Sequence, residues 1–325
     1  MAVGDVDDDG EDEIVMVSFE SDSGYAEGII HIFNARTKAL EYQGKLGITD
    51  WMGVRSVKIG DVDDDGKTEF VVTTGNIYDG VIRVYDGAAH TLKQQSAGYN
   101  GNFISALAIG DIDGDGKTEI VAGQGREHSG ATGTYLIVFD GATLQEKWRS
   151  VDLGNGWGSI YDIKLADLDA NGRQEIIASV TGHNRLVVFD GVNHDLKLLI
   201  EHPARALAVA DVDGDGALEL LAGRPDGKID VFDGTTFAIK KSVSTFGKTP
   251  IDALRIVDLD GDGTREWLLA SGGFLTVLGG QELKWRSQYL SGNLGLYNHL
   301  EIKDSDGDGY PEILVGADLA LYQFE

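Results

Sequence analysis

The sequence predicts an all-β fold, a seven-bladed β-propeller of four-stranded antiparallel blades. Three observations carry this. An acidic phrase, Asp-x-Asp-x-Asp/Asn-Gly-x-x-Glu, recurs seven times, beginning at Asp5, Asp61, Asp111, Asp167, Asp211, Asp258 and Asp304. A period near fifty residues marks a repeat in which each unit needs its neighbours to bury an apolar face. Each phrase is followed by a short β-branched run such as Ile120-Val121-Ala122, which reads as a buried strand. A second run in most units ends in aromatic-Asp-Gly, as at Val138-Phe139-Asp140-Gly141, a hairpin signal after alternating apolar residues.

Each unit starts with an apolar run before the phrase, such as Ala106-Leu107-Ala108-Ile109. The phrase therefore joins the first two strands of a blade. The run ending in aromatic-Asp-Gly is the third strand. A more polar segment follows, for example Leu144-Gln145-Glu146-Lys147-Trp148 or Glu282-Leu283-Lys284-Trp285. Its charges suit an outer edge strand, where they discourage pairing with another sheet. Four such strands per unit describe a propeller blade. Residues 1–325 are expected to form one domain, with repeats starting near residues 1, 55, 104, 160, 204, 251 and 298. The last repeat offers Leu300 to Lys303, Ile313 to Val315 and Leu319 to Phe324, then ends at Glu325. Its blade is expected to have three strands, the fourth being absent or lost with the rest of a longer chain.

The phrase itself points to a hard cation. Carboxylates at positions one, three and five of a tight loop repel one another unless a cation sits among them. Glycine at position six permits the sharp bend. The glutamate at position nine can close the shell with two oxygens. An all-oxygen set without His or Cys favours calcium over magnesium, which rarely takes an all-protein cage. The expected ligands are Asp5, Asp7, Asp9 and Glu13; Asp61, Asp63, Asp65 and Glu69; Asp111, Asp113, Asp115 and Glu119; Asp167, Asp169, Asn171 and Glu175; Asp211, Asp213, Asp215 and Glu219; Asp258, Asp260, Asp262 and Glu266; and Asp304, Asp306, Asp308 and Glu312. Up to seven Ca2+ ions are implied. Asp8 and Asp64 are extra acids, read as solvated. An EF-hand would need an acid at position twelve. That place holds Met16, Val72, Ala122, Ala178, Ala222, Leu269 and Val315, so the reading is a β–loop–β site. Acidic turns without metal are the plain alternative, since Asp and Gly favour turns. Seven copies that all keep Glu at position nine weigh against it.

Composition agrees. The chain has 325 residues, 42% hydrophobic content, 45 glycines, four prolines and no cysteine, with a formal charge of −27. More than half of its 54 acidic residues lie inside the seven phrases, and seven divalent ions would neutralise about half of the net charge. Such acidity argues against nucleic acid and anionic membranes as partners. No run is long enough to span a bilayer. Weak calcium loops, with dissociation constants of roughly 0.1–1 mM, fill only outside the cytosol, so an exported, extracellular or cell-surface location is expected. Met1-Ala2-Val3-Gly4-Asp5 carries no signal peptide, which suggests a segment of a larger multidomain protein.

The Gly-Asp-x-Asp-x-Asp-Gly-x-x-Glu loops resemble the FG-GAP/VCBS-type propeller repeats, which include the headpiece propeller of integrin α subunits and many bacterial surface proteins. The resemblance covers nearly the whole chain. It implies a calcium-binding propeller with a role in recognition or adhesion. The literal Phe-Gly and Gly-Ala-Pro tags are missing, which places the chain nearer the prokaryotic branch. Family loops often carry Asp at position nine, where this chain has Glu throughout. The stretch from Asp140 to Trp148 also looks like quinoprotein-type propeller repeats, but no complete version of that motif occurs.

A partner is expected at the connections opposite the acidic loops, because added length there is unequal: Ser18 to Gly28 and Gly123 to Gly133 are long, whereas Ser271-Gly272-Gly273 is short. Loop-borne function concentrates in such insertions. Tyr25, Trp51, Tyr78, Tyr99, Arg126, His128 and Trp157 make that sector rich in amphipathic side chains, which suit a sugar ring or a protein hot spot. Phe103 and Tyr161, beside apolar strand residues, read instead as packing between blades, and His128 as a surface histidine. The expected function is a calcium-stabilised recognition module for a protein or glycan, not an enzyme. The alternatives are a lyase-like enzyme on acidic polysaccharide and a structural spacer. No Gly-x-Ser-x-Gly elbow, zinc signature or cysteine nucleophile supports catalysis.

Overall fold

A computed structural model describes residues 1–19, 28–45, 54–74, 79–100, 102–126, 133–154, 158–317 and 320–325. It is an all-β seven-bladed propeller. The first sheet contains β1 (Ala2–Gly4), β2 (Glu13–Phe19), β3 (Gly28–Asn34) and β4 (Leu40–Lys45). The second contains β5 (Val54–Gly60), β6 (Glu69–Thr74), β7 (Asp79–Asp86) and β8 (Leu92–Gln95), with a short extra strand β9 (Tyr99–Asn100) on β7. The third contains β10 (Asn102–Gly110), β11 (Glu119–Arg126), β12 (Tyr135–Asp140) and β13 (Glu146–Arg149). The fourth contains β14 (Ser159–Ala166), β15 (Glu175–Thr181), β16 (Arg185–Asp190) and β17 (Leu196–Glu201). The fifth contains β18 (Leu207–Ala210), β19 (Glu219–Gly223), β20 (Lys228–Asp233) and β21 (Ile239–Ser244). The sixth contains β22 (Ile251–Val257), β23 (Glu266–Ser271), β24 (Phe274–Gly279) and β25 (Glu282–Arg286). The seventh has three strands, as expected: β26 (Leu300–Lys303), β27 (Glu312–Ala317) and β28 (Ala320–Phe324). A 3-10 turn, Leu296–Asn298, precedes it.

The chain divides into two compact units, Met1–Ile163 and Lys164–Glu325. Within each unit the sheets pack face to face. In the first, Val15, Ile30 and Ile32 meet Val57, Phe70 and Val72, and Val71, Ile82 and Val84 meet Ile104, Ile120 and Phe139. In the second, Ile177 and Val188 pack on Leu220 and Phe232, Leu221 and Val231 on Trp267 and Leu269, and Leu268 and Leu275 on Leu300 and Val315. A second strand that lies between two sheets of its own unit, such as β6, β19 or β23, has a neighbour on both faces. That is why its sequence is continuously apolar rather than alternating: β19 and β23 are buried along nearly their whole length. Each such side chain contributes about 1.5–3 kcal/mol by leaving water. The fourth strands are largely exposed.

The turn after aromatic-Asp-Gly is wider than the tight hairpin the dipeptide suggests. In the third blade the Asp140 carboxylate accepts bonds from the Thr143 amide at 2.9 Å and hydroxyl at 2.6 Å, and the Leu144 amide donates to the Asp140 carbonyl at 2.8 Å. The residue with positive φ is Leu144, at 53°, with His90 and Phe237 in the same place in their blades. The glycine serves a different need. A Cβ on Gly87 would lie 1.8 Å from the Val6 carbonyl oxygen, and one on Gly141 would lie 2.1 Å from that of Val62. Each glycine seats its turn on the acidic loop of the preceding blade. Gly141→Ala should therefore cost about 1–3 kcal/mol, the usual penalty for forcing atoms into a filled contact. Urea denaturation measures it, and an unchanged midpoint would contradict the seat.

Candidate metal centre

Register builds every acidic loop alike. The glutamate at position nine opens the second strand, opposite the last residue of the first strand: Gly60 faces Glu69, Gly110 faces Glu119 and Lys303 faces Glu312. Two residues per loop take left-handed backbone. At position six it is always glycine, with φ between 83° and 94°. At position four it is Asp8, Asp64, Gly114, Ala170, Gly214, Gly261 and Gly307, with φ between 55° and 77°.

Three side-chain bonds then recur in all seven loops. The first aspartate accepts from the glycine amide at position six, at 2.7–3.0 Å. The residue at position five accepts from the amide at position seven, at 2.7–2.9 Å. Oε2 of the glutamate accepts from the amide at position two, at 2.7–3.1 Å. Asn171 keeps its place in this scheme. The glutamates are almost wholly buried. One oxygen of each glutamate is thus held by the backbone at position two.

What meets Oε1 differs between blades. In five of them a lysine from the fourth strand enters the loop. Nζ of Lys93, Lys147, Lys240 and Lys284 lies 2.6–2.8 Å from Oε1 of Glu69, Glu119, Glu219 and Glu266. Lys197 makes the same bond to Glu175. Each ammonium also lies 2.5–3.3 Å from the carboxylate at position three, Asp63, Asp113, Asp169, Asp213 or Asp260. Burial alone would lower the affinity of Lys93 for its proton, but its bonds to Asp63 and Glu69 outweigh this and raise it. For Lys284 the bond to Glu266 leads, and the group is pushed up to about 12.

The first and last loops have no such lysine, and Oε1 of Glu13 and of Glu312 has no partner among the described residues. Burial raises the Glu13 carboxyl from 4.5 to about 7, with Asp7, Asp9 and Glu41 adding to it. Oxygens of Asp5, Asp7 and Glu13 lie within 4.8 Å of one another, as do those of Asp304, Asp306, Asp308 and Glu312. The same grouping occurs in lysine-bearing loops, at Asp61, Asp63 and Glu69 and at Asp167, Asp169 and Glu175; the first and last loops differ in having no ammonium among their oxygens, and such an oxygen-only set fits a hard divalent ion. The extra acids of the first two loops are not merely solvated. Asp8 accepts from the amide and hydroxyl of Thr68 at 3.0 and 2.7 Å, and Asp64 does the same with Thr118 at 3.4 and 3.1 Å. Each ties its loop to the next one.

Of the expected ligand-binding residues, Tyr25, Trp51, Tyr78, His128 and Trp157 lie outside the described residues, as does the side chain of Arg126, whose backbone closes β11. Tyr99 is packed at the edge of the third blade. It meets Phe139 edge-on, with ring centres 6.4 Å apart, and has the Arg149 guanidinium 5.3 Å from its ring centre. Burial, with Glu146 nearby, raises its hydroxyl to about 12. Phe103 and Tyr161 are buried as expected, Phe103 under the Arg55 guanidinium at 4.4 Å. One polar cluster was missed by sequence reasoning because it unites distant residues. Buried Asp230 accepts from Arg224 at 2.9 Å and from Ser242, and lies 2.7 Å from His202 Nε2. Burial would raise its carboxyl, but these bonds outweigh that and hold it below the ordinary range.

Without metal, Glu13 dictates a pH dependence. Its carboxyl has a higher folded than unfolded pKa, so the native state keeps a proton that the unfolded chain has released. The associated stability is fully present below pH 4.5 and lost as pH rises through about 7. In chelator, Glu13→Gln should melt a few degrees above the wild type at pH 8, and the difference should shrink towards pH 4.5. Thermal melts across that range check this. A difference independent of pH would contradict it.

Residues 61–122 match the family model of the FG-GAP-like repeat. No curated protein sequence matches the chain. Among solved structures, the chain is similar to BBS1N, crystallised in complex with ARL6DN. The lead-soaked crystal gives a TM-score of 0.64 at 12% identity, covering 99% of this chain and 89% of that one. The mercury-soaked crystal gives 0.67 at 13% identity, covering 99% and 90%. The WD40 β-propeller domain of Doa1 gives 0.66 at 13% identity, also covering 99% and 90%. At such identities the likeness speaks to fold. The chain is a seven-bladed β-propeller that carries an FG-GAP-like repeat at residues 61–122.

Proposed function

We propose that this propeller is a calcium-stabilised recognition module of an exported or cell-surface protein, of the adhesion type, and not an enzyme. It binds a protein or glycan through the connections opposite its acidic loops. The observation that carries this reading is the difference between the two ends of the blades. At one end, seven loops of fixed length share one set of backbone bonds, as structural parts do. At the other, β2 and β3 are separated by residues 20–27 and β11 and β12 by 127–134, whereas β23 and β24 are separated only by 272–273. Unequal insertions on a repeated scaffold are where recognition is placed. BBS1N, a propeller of similar fold, was crystallised with a protein partner; by analogy of fold, this favours a protein ligand over a glycan. Calcium bound in acidic loops would add to the stability of a chain with no disulfide.

Replacing Trp51, Tyr78 and Trp157 together by alanine should abolish retention on glycan and cell-surface protein arrays in millimolar calcium. The melting temperature should stay within a few degrees of the wild type. Undiminished retention would refute the site. Chelator should lower the melting temperature of both forms.

A further inference from the structure

The residue that decides what fills each acidic loop sits in a β-bulge of the fourth strand. In six blades the pairing of third and fourth strands slips by one residue at the same place. Phe33 faces Leu40 and Ile32 faces Tyr42, leaving Glu41 unpaired. The residue left out in the next five blades is Lys93, Lys147, Lys197, Lys240 and Lys284. A bulge re-aims the side chain it carries. Here it turns that side chain from the outer face of the blade into the loop. The five lysines therefore meet both the buried glutamate and the aspartate at position three. In the first blade the same bulge presents Glu41, an acceptor. The seventh blade has three strands and no such position among the described residues.

We infer that the chain supplies its own cation to five acidic loops, a lysine ammonium, and leaves the first and last loops as its divalent-ion sites. This rests on the calcium reading above and narrows it from up to seven ions to two. A tethered ammonium is always present at high effective concentration. A calcium ion entering the same loop would bring like charges close together, so the lysine must leave and forfeit its bonds to two carboxylates. In the first and last loops nothing needs displacing. There Oε1 of Glu13 and of Glu312, each on a side chain 1% exposed, has no partner among the described residues. These two carboxylates lack the ammonium that their counterparts in the other five loops receive.

The test is stoichiometry on the full chain, by equilibrium dialysis with radiolabelled calcium at neutral pH, with circular dichroism confirming that each variant folds. The wild type should hold two ions. Lys147→Met and, separately, Lys240→Met should each hold three, because each frees one loop. Glu41→Lys should hold one, because the new ammonium reaches Glu13. Two lysine variants in different blades guard against one failing to fold. A wild-type count of seven overturns the inference while leaving calcium binding intact. A count of two that rises in neither lysine variant also overturns it. No binding by the wild type or any variant overturns the calcium reading itself.

Discussion

A buried carboxylate at the mouth of each blade is the constraint on which the rest depends. The glutamate at position nine is the first residue of the second strand and nearly inaccessible to water. A carboxylate in that setting is tolerated only if its oxygens are bonded and its charge balanced. One oxygen is answered by the backbone at position two, whose side chain, Val6, Val62 or Ile112, is itself buried between sheets. The loop is thus nailed to the core by an apolar residue and to the strand by an ionic one. The remaining oxygen must find a positive charge. Five blades answer with an ammonium from their own outer strand.

The same loop also organises the contact between neighbours. The turn of one blade rests on the loop backbone of the blade before it, through Gly87 and Gly141 in the first unit and, in the second, through Gly234 on Leu168. Asp8 and Asp64 add side-chain ties in the same direction. Packing between sheets and ordering of the loops are therefore one event: a blade whose loop is loose offers its neighbour no platform.

Much of this was legible in the sequence. The repeated phrase and the β-branched runs fixed the number of blades, the place of the loops and the three-stranded last blade, because strand period and glycine at position six are local signals. Longer-range features were not legible in that way. Asp-Gly at 140–141 signals a turn, but only the structure shows that Leu144 takes the left-handed backbone and that Gly141 is small for the sake of Val62. The lysines read as edge-strand charges, because the bulge that turns them inward is a matter of pairing register. A signal did exist: Lys93, Lys147, Lys197 and Lys240 each stand seven residues after the turn aspartate, and Glu41 stands seven after Asn34. The Asp230 cluster joins Arg224, His202 and Ser242 from separate segments and has no signature in any one of them.

The glycine seats have a consequence for how such a chain can change over time. A connection that doubles as the floor for its neighbour can neither grow nor shrink without lifting that neighbour. Length changes at the acidic end are thereby barred blade by blade, while the far end, where 20–27 and 272–273 already differ widely, stays free to drift. The architecture thus confines novelty to one rim and leaves the other as an inherited chassis.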